Sequence, residues 1–168
     1  MKALIHPIKT ILLGFIMLVV FIPVSAQSKK ERKAEKTAAL SRLIEARQFV
    51  FVAETANSGT GGFWRLNTAY DMTVKGDSLV SYLPYYGRAF SVQSPYGSGG
   101  GINFTSTNYH YTVKQKKDEW IMVMEPRDVS DVRQIMLNIF ENGRASLSVI
   151  STSRQQINYT GYITEKRK

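Results

Sequence analysis

Few side chains in this sequence can carry covalent chemistry. The 168-residue chain has no cysteine and two histidines, His6 and His110. Without thiols there is no disulfide, no thiolate nucleophile, no iron–sulfur cluster and no cysteine-ligated zinc. His110 sits in Tyr-His-Tyr-Thr-Val, and the chain has no Gly-x-Ser-x-Gly elbow. A Ser-His-acid triad would therefore have a base but no recognisable nucleophile, and a strand histidine on a polar face is the simpler reading. Asp128 and Asp131 in the Pro126–Asp131 loop, beside Glu125, form the one near cluster of carboxylates. They are expected to make an exposed acidic loop rather than a Ca²⁺ or Mg²⁺ site. Asp71, Asp77 and Glu119 would have to serve any carboxylate-dependent hydrolase, and no pair among them has diagnostic spacing. No catalytic residue, metal or cofactor is assigned, and a non-enzymatic role is favoured over a hydrolase.

Aromatic residues give a stronger signal. Residues 82–111 hold Tyr82, Tyr85, Tyr86, Phe90, Tyr96, Phe104, Tyr109 and Tyr111, eight in 30 positions, against nine in the other 112 positions after residue 26. Tyrosine offers a flat apolar face and a hydroxyl, which suits a small ligand, a glycan or a protein partner. Arg88 lies among them and can fork onto a carboxylate or stack on a ring. Tyr82, Tyr85, Tyr86, Arg88, Tyr96, Tyr109 and Tyr111 thus form the candidate binding surface. A plain alternative stands beside it: strand-forming tyrosines cover a sheet face and Arg88 pairs with a nearby acid. The adjoining Ser94–Gly101 run is glycine-rich, but a strand-like Ile-Asn-Phe-Thr follows it and no Gly-Lys-Ser/Thr is present. It reads as a flexible loop or bulged hairpin rather than a phosphate cradle.

The ends of the chain carry most of its charge. Lys2 and Lys9 precede an apolar run, Ile11–Ile22, then Pro23 and the small residues Val24-Ser25-Ala26. Twelve residues are short of the ~20 needed to span a bilayer, and the small-residue exit is what signal peptidase reads. Residues 1–26 are therefore expected to be a signal peptide cleaved before Gln27, with an uncleaved anchor as the alternative. Such a protein is periplasmic or secreted, and the missing cysteine argues against a lipid anchor. Loss of those residues lowers the formal charge from +9 to +7, of which residues 27–36 hold +3 and residues 165–168 hold +2. The nearly neutral body between them excludes a basic nucleic-acid groove. The basic N-terminal segment either solubilises the chain or makes weak contact with the envelope surface.

Positioning these residues falls to two kinds of element. Residues 27–47 lack Gly and Pro and set Leu40, Leu43, Ile44 and Arg47 at helical spacing, predicting a basic N-terminal helix. From Gln48 the period changes to two. Phe49–Ala53, Tyr70–Lys75, Ser78–Leu83, Arg88–Gln93, Gly101–Thr107, Tyr109–Lys116, Glu119–Glu125, Val132–Phe140, Ala145–Ser151 and Arg154–Thr164 read as strands, with a helix competing for 132–140. Gly76-Asp77, Lys117-Asp118 and Asn142-Gly143 mark hairpin turns. The fold class is mainly β: a single antiparallel meander of about 8–10 strands over residues 48–164, closing as a barrel or two-sheet sandwich to bury two apolar faces and protect its edges. Residues 165–168 make a short basic tail.

Several segments together resemble domain-of-unknown-function family 4251, a family of exported proteins from Bacteroidota. They are the helix running into Phe49-Val50-Phe51-Val52-Ala53, the Gly76-Asp77-Ser78 turn, Tyr82-Leu83-Pro84-Tyr85-Tyr86-Gly87-Arg88-Ala89, Gly99–Phe104, Gly143–Leu147 and Tyr159–Ile163. The resemblance covers residues 37–164 and implies an exported single domain with no assigned activity. Many relatives look like lipoproteins; the absent cysteine sets this chain apart from them. The expected function is binding through the 82–111 region, with a structural or assembly role in the cell envelope as the alternative.

Overall fold

A computed structural model of the chain describes residues 29–59, 61–90 and 100–165. Two units are distinguished, Met1–Arg32 and Lys33–Lys168. The proposed leader, Tyr96 with most of the glycine-rich run, and Lys166–Lys168 lie outside the described residues. The basic helix, α1, runs Lys29–Glu45 and buries Leu40 and Ile44, one turn apart, in the second unit. It stops at Arg47, whose φ of 51° is left-handed. There the Arg47 N–H bonds back to the Ile44 carbonyl at 3.1 Å, and the Arg47 carbonyl accepts from Gly76 N–H at 2.9 Å.

Nine strands follow among the described residues: β1 (Gln48–Ser58), β2 (Phe63–Lys75), β3 (Ser78–Leu83), β4 (Ile102–Ser106), β5 (Tyr109–Lys116), β6 (Glu119–Pro126), β7 (Val132–Phe140), β8 (Arg144–Ser151) and β9 (Ile157–Thr164). They form one antiparallel sheet in the order β4-β3-β2-β1-β9-β8-β7-β6-β5. Every neighbour is sequential except β1 and β9, so the meander returns to its own start and nearly closes as a barrel. Period-two burial fills the inside with Phe49, Phe51, Met72, Leu79, Leu83, Met122, Met124, Ile135, Leu137, Ile139, Leu147 and Tyr159. Leu40 and Ile44 of α1 join that core. The helical reading of 132–140 gives way because Ile135, Leu137 and Ile139 are buried in alternation, with Met136 exposed between them. The expected strand at Arg88–Gln93 is corrected: among its described residues only a single bridge, Ala89 to Arg154, forms.

An odd strand count decides where the ring stays open. In a nine-stranded antiparallel order the two outermost strands, β4 and β5, run the same way. Thr107-Asn108 joins them, and two residues cannot make a parallel crossover, which needs a dozen or more. The chain turns a corner there instead. Asp128 holds the corner: its carboxylate accepts from Ser106 Oγ at 2.5 Å, Thr107 N–H at 2.8 Å and Asn108 N–H at 3.2 Å. These bonds, the Ser106 hydroxyl first, hold the Asp128 carboxyl below the ordinary carboxylate range.

The main irregularity of the sheet lies around Glu54 of β1. Against β9 the partner moves one residue, Gly161 to Thr160, between Ala53 and Thr55, leaving Glu54 bulged. Against β2 it moves from Tyr70 to Arg65, so residues 66–69 of β2 lie opposite Glu54. The bulge lets Ala53 and Ala56 both point inward, and Glu54 pairs with Arg144 at 2.6 Å. It also presses the β1 backbone onto Gly161, where an added Cβ would overlap the Val52 carbonyl. Gly161→Ala is expected to cost about 1–3 kcal/mol, the usual range for overpacking. The lowered midpoint would appear in urea denaturation, and an unchanged midpoint would mean that the bulge yields freely.

Candidate functional site

The Gly76-Asp77 turn fixes the register of β2 on β3, and that register assembles the site. Lys75 faces Ser78 and Asp71 faces Tyr82. Across the neighbouring ladders Tyr82 also faces Asn103 of β4, Asp71 faces Val52 of β1, and Val52 faces Tyr162 of β9. One straight row, Tyr162–Val52–Asp71–Tyr82–Asn103, therefore crosses the outer face of five strands. Tyr82 is 52% exposed, and its ring stacks on that of Tyr70 with centroids 5.5 Å apart. Beside it Tyr86 stacks on Trp64 at 4.8 Å, the planes only 12° apart. Tyr70, Tyr82, Leu83, Pro84, Tyr85 and Tyr86, with Gly100, Gly101 and Asn103, line a cavity of 220 Å³.

Its wall is held from beneath. Tyr85 shares its hydroxyl between the Arg88 and Gln155 carbonyls, at 2.8 and 2.9 Å. Tyr159, from inside the barrel, donates to the Pro84 carbonyl at 2.6 Å. Arg154, almost fully buried, places its guanidinium 5.2 Å from the Tyr85 ring centre. Arg154 Nη1 donates to the carbonyls of Gly100 and Gly101, at 3.2 and 2.9 Å. The charge is met by Asp131, 5% exposed, with Arg154 Nε to Oδ2 at 3.1 Å, and the Ser153 hydroxyl donates to the other carboxylate oxygen. The expected exposed acidic loop holds for Glu125 and Asp128 and is corrected for Asp131 alone. Asp131 is a buried counter-ion and Asp128 a backbone cap, so neither is free to hold a metal. Among the described residues no group of three or more His, Asp or Glu is placed to hold one.

Of the seven candidate residues, the structure brings Tyr82, Tyr85 and Tyr86 together. Arg88 is exposed next to them but does not line the cavity, and its carbonyl rather than its side chain is engaged. Tyr109 and Tyr111 stand elsewhere, on β5: the Tyr109 hydroxyl donates to the Gly76 carbonyl at 2.7 Å, and the Arg47 guanidinium lies 4.3 Å from the centre of the Tyr111 ring. His110 is exposed on the same strand. Trp64, Tyr70, Asn103, Asp131 and Arg154 are the contributors that sequence reasoning missed. Tyr70, next to Asp71, was within reach of register arithmetic from the Gly76-Asp77 turn, whereas the long connection from β3 to β4 hid Asn103. The long-range Asp131–Arg154 pair had no local signal. Among the hydrolase carboxylates, Asp77 is fully in solvent and tied loosely to Arg47 at 3.9 Å, while Glu119 pairs with Lys116 at 3.5 Å. Asp71 is half-buried, and desolvation alone pushes its carboxyl up. Glu165 lines the same cavity as Asp71, but no hydrogen bond or charge coupling joins the two carboxylates, and the Asp71 shift comes from desolvation. A wider groove of 490 Å³ over β6–β8 is lined by Glu125, Arg133, Gln134 and Ile150. Gln134 Nε2 already occupies the Glu125 carboxylate there at 3.1 Å, and no aromatic ring stands in its wall.

These features define a near-closed, nine-stranded antiparallel β-domain with a helix packed into its core and an aromatic cavity on its outer face. Residues 31–163 match the family described as Domain of unknown function (DUF4251), and the chain belongs to that family. It is similar to the crystal structure of a DUF4251 family protein from Bacteroides eggerthii DSM 20697, with a TM-score of 0.52 and 14% identity over 79% of this chain and 89% of that one. At that identity the likeness bears on the fold alone. No curated protein matches the chain.

Burial sets how the tyrosines titrate. It raises Tyr85 and Tyr109, lifts Tyr159 further, and pushes Tyr111 up to about 12. Each is an acid that keeps its proton longer in the folded state. Above about pH 10 the unfolded chain sheds these protons while the folded chain does not, so stability falls as pH rises from there towards 12 and is unaffected below. A tyrosinate absorbance titration of the native protein is expected to show only part of the nine tyrosines ionising in the ordinary range. All nine titrating together, with the fold retained, would contradict the burial described.

Proposed function

We propose that the protein is an exported, non-enzymatic binding domain whose ligand seats in the cavity of Tyr82, Tyr85 and Tyr86. One observation carries this reading: two exposed tyrosines, each stacked on a β2 ring, flank a concave site whose floor is pinned from below. Exposed aromatic rings cost solvent order and are normally covered, yet here Tyr82 and Tyr86 stand in a fixed arrangement that needs no rearrangement to receive a flat or apolar surface. Among the described residues lining the Tyr82 cavity none supplies an activated nucleophile or a paired acid and base, which supports binding over turnover. Export rests on the Lys2–Ala26 pattern, and on this reading the domain works in the periplasm or outside the cell. An intact mass beginning at Gln27 is the expected form, and a secreted form retaining residues 1–26 would refute the leader.

A second reading, an assembly component of the envelope, draws on the open β4 and β5 edges and on the basic α1. Crosslinking of cell envelopes separates the two: recovery of monomer alone counts against assembly. For the first reading the test is a thermal-shift screen against sugars, peptides and lipids, repeated on Tyr82→Ala/Tyr86→Ala. At least one class is expected to raise the Tm of the native protein and to leave the double variant unshifted. An equal response from the double variant, or none from the native protein, would overturn the site.

A further inference from the structure

Beyond the Tyr82 cavity the same outer face continues towards β9. A second cavity, of 420 Å³, opens there and is lined by Val50, Val52, Asp71, Thr73, Tyr162 and Glu165 among others. Asp71 and Tyr82 are cross-strand partners, so the two cavities adjoin along one row. A parallel row, Thr164–Val50–Thr73–Val80–Thr105, runs beside it. Of the ten residues in the two rows Asp71 alone is charged, and the others are hydroxyls, an amide, valines and tyrosines. Tyr162 and Tyr82 stand three strands apart, roughly 14 Å at the usual strand spacing. Asp71 lies between them, and no donor or cation among the described residues reaches its carboxylate.

That combination restricts the occupant. A half-buried carboxylate without donors gains from a ligand that brings them, because desolvated acceptors left unmet are costly. An apolar protein surface would desolvate Asp71 further and supply nothing. A lone monosaccharide covers one ring only. Sugar units meet both needs: their C–H faces lie flat on aromatic rings, and their hydroxyl rims donate to carboxylate, amide and threonine acceptors. We propose that the Tyr82–Asp71–Tyr162 row is a two-subsite platform for a linear, neutral oligosaccharide. One sugar unit lies against Tyr82 beside Asn103, another against Tyr162, and Asp71 accepts hydroxyls from the stretch between. This inference rests on the reading of the Tyr82 cavity as the ligand-bearing surface and extends it.

The test is calorimetric titration of the native protein with cellotetraose, maltotetraose, chitotetraose and mannotetraose and with their monosaccharides. At least one tetrasaccharide is expected to bind roughly tenfold or more tighter than its monosaccharide, since linked subsites add their contributions. Tyr162→Ala, Tyr82→Ala and Asp71→Ala should each weaken it by roughly tenfold, the scale of an interfacial hot spot. Circular dichroism checks that each variant is folded. If Tyr82→Ala weakens binding while Tyr162→Ala and Asp71→Ala do not, the extension fails and the smaller site survives. If no tetrasaccharide binds at millimolar concentration, the carbohydrate assignment fails, while the thermal-shift screen still decides whether the Tyr82 cavity binds anything. Salt-sensitive binding of a tetralysine peptide that depends on Asp71 would reassign the row to a cation and overturn the proposal.

Discussion

The buried ion pair of Arg154 and Asp131 is the constraint on which the Tyr82 cavity end of this sheet depends. Two full charges out of water are costly to desolvate, and removing one partner from such a pair typically costs about 3–5 kcal/mol. Here the cost is offset by the contacts the two groups make. The guanidinium meets a carboxylate, two backbone carbonyls and a tyrosine ring, and the carboxylate also takes the Ser153 hydroxyl. Three segments that no β-ladder joins, the β6–β7 loop, the β8–β9 loop and the chain entering β4, are locked together by it. Tyr85, resting on Arg154 and bonded to Gln155, then carries the lock to the cavity wall.

The barrel supplies the other half of the arrangement. Its interior is filled by alternating apolar residues, so polar and aromatic side chains are displaced to the outer face, where β1, β2, β3 and β9 present their second set. Val50 and Val52 made β1 apolar on both sides. The inner set forms the core, and the outer set becomes the floor of a cavity beside Tyr162. Because β4 and β5 run the same way and only two residues join them, the sheet keeps two edges. The Asp128 cap fixes the corner between them with three hydrogen bonds instead of a ladder.

Much of this was legible from period and turn chemistry. Gly76-Asp77 and Asn142-Gly143 bracket strands that form where expected, β3 at Ser78–Leu83 and β7 at Val132–Phe140. The first half of β2 was not foreseen because Gly59–Gly62 and the Glu54 bulge interrupt the alternation on which the reading depends. The aromatic enrichment pointed to Tyr82, Tyr85 and Tyr86, which the structure brings to one cavity. It also drew in Tyr109 and Tyr111, which composition alone cannot separate from them; only register places those two on β5 beside Gly76 and Arg47. Asp131 looked like one more acid in a polar loop. Its partner is 23 residues away across two loops, and no local pattern encodes such a contact.

Amide hydrogen exchange on Arg154→Lys tests most directly whether the buried pair shapes the site. Lysine keeps the charge but loses the planar fork that reaches Asp131, Gly100 and Gly101 together. The expected result is faster exchange at Phe90 and Gln155, whose N–H groups bond to Ser153 and Arg88, with protection in β5–β7 retained. Native-like protection at both amides in a folded Arg154→Lys protein would contradict the account.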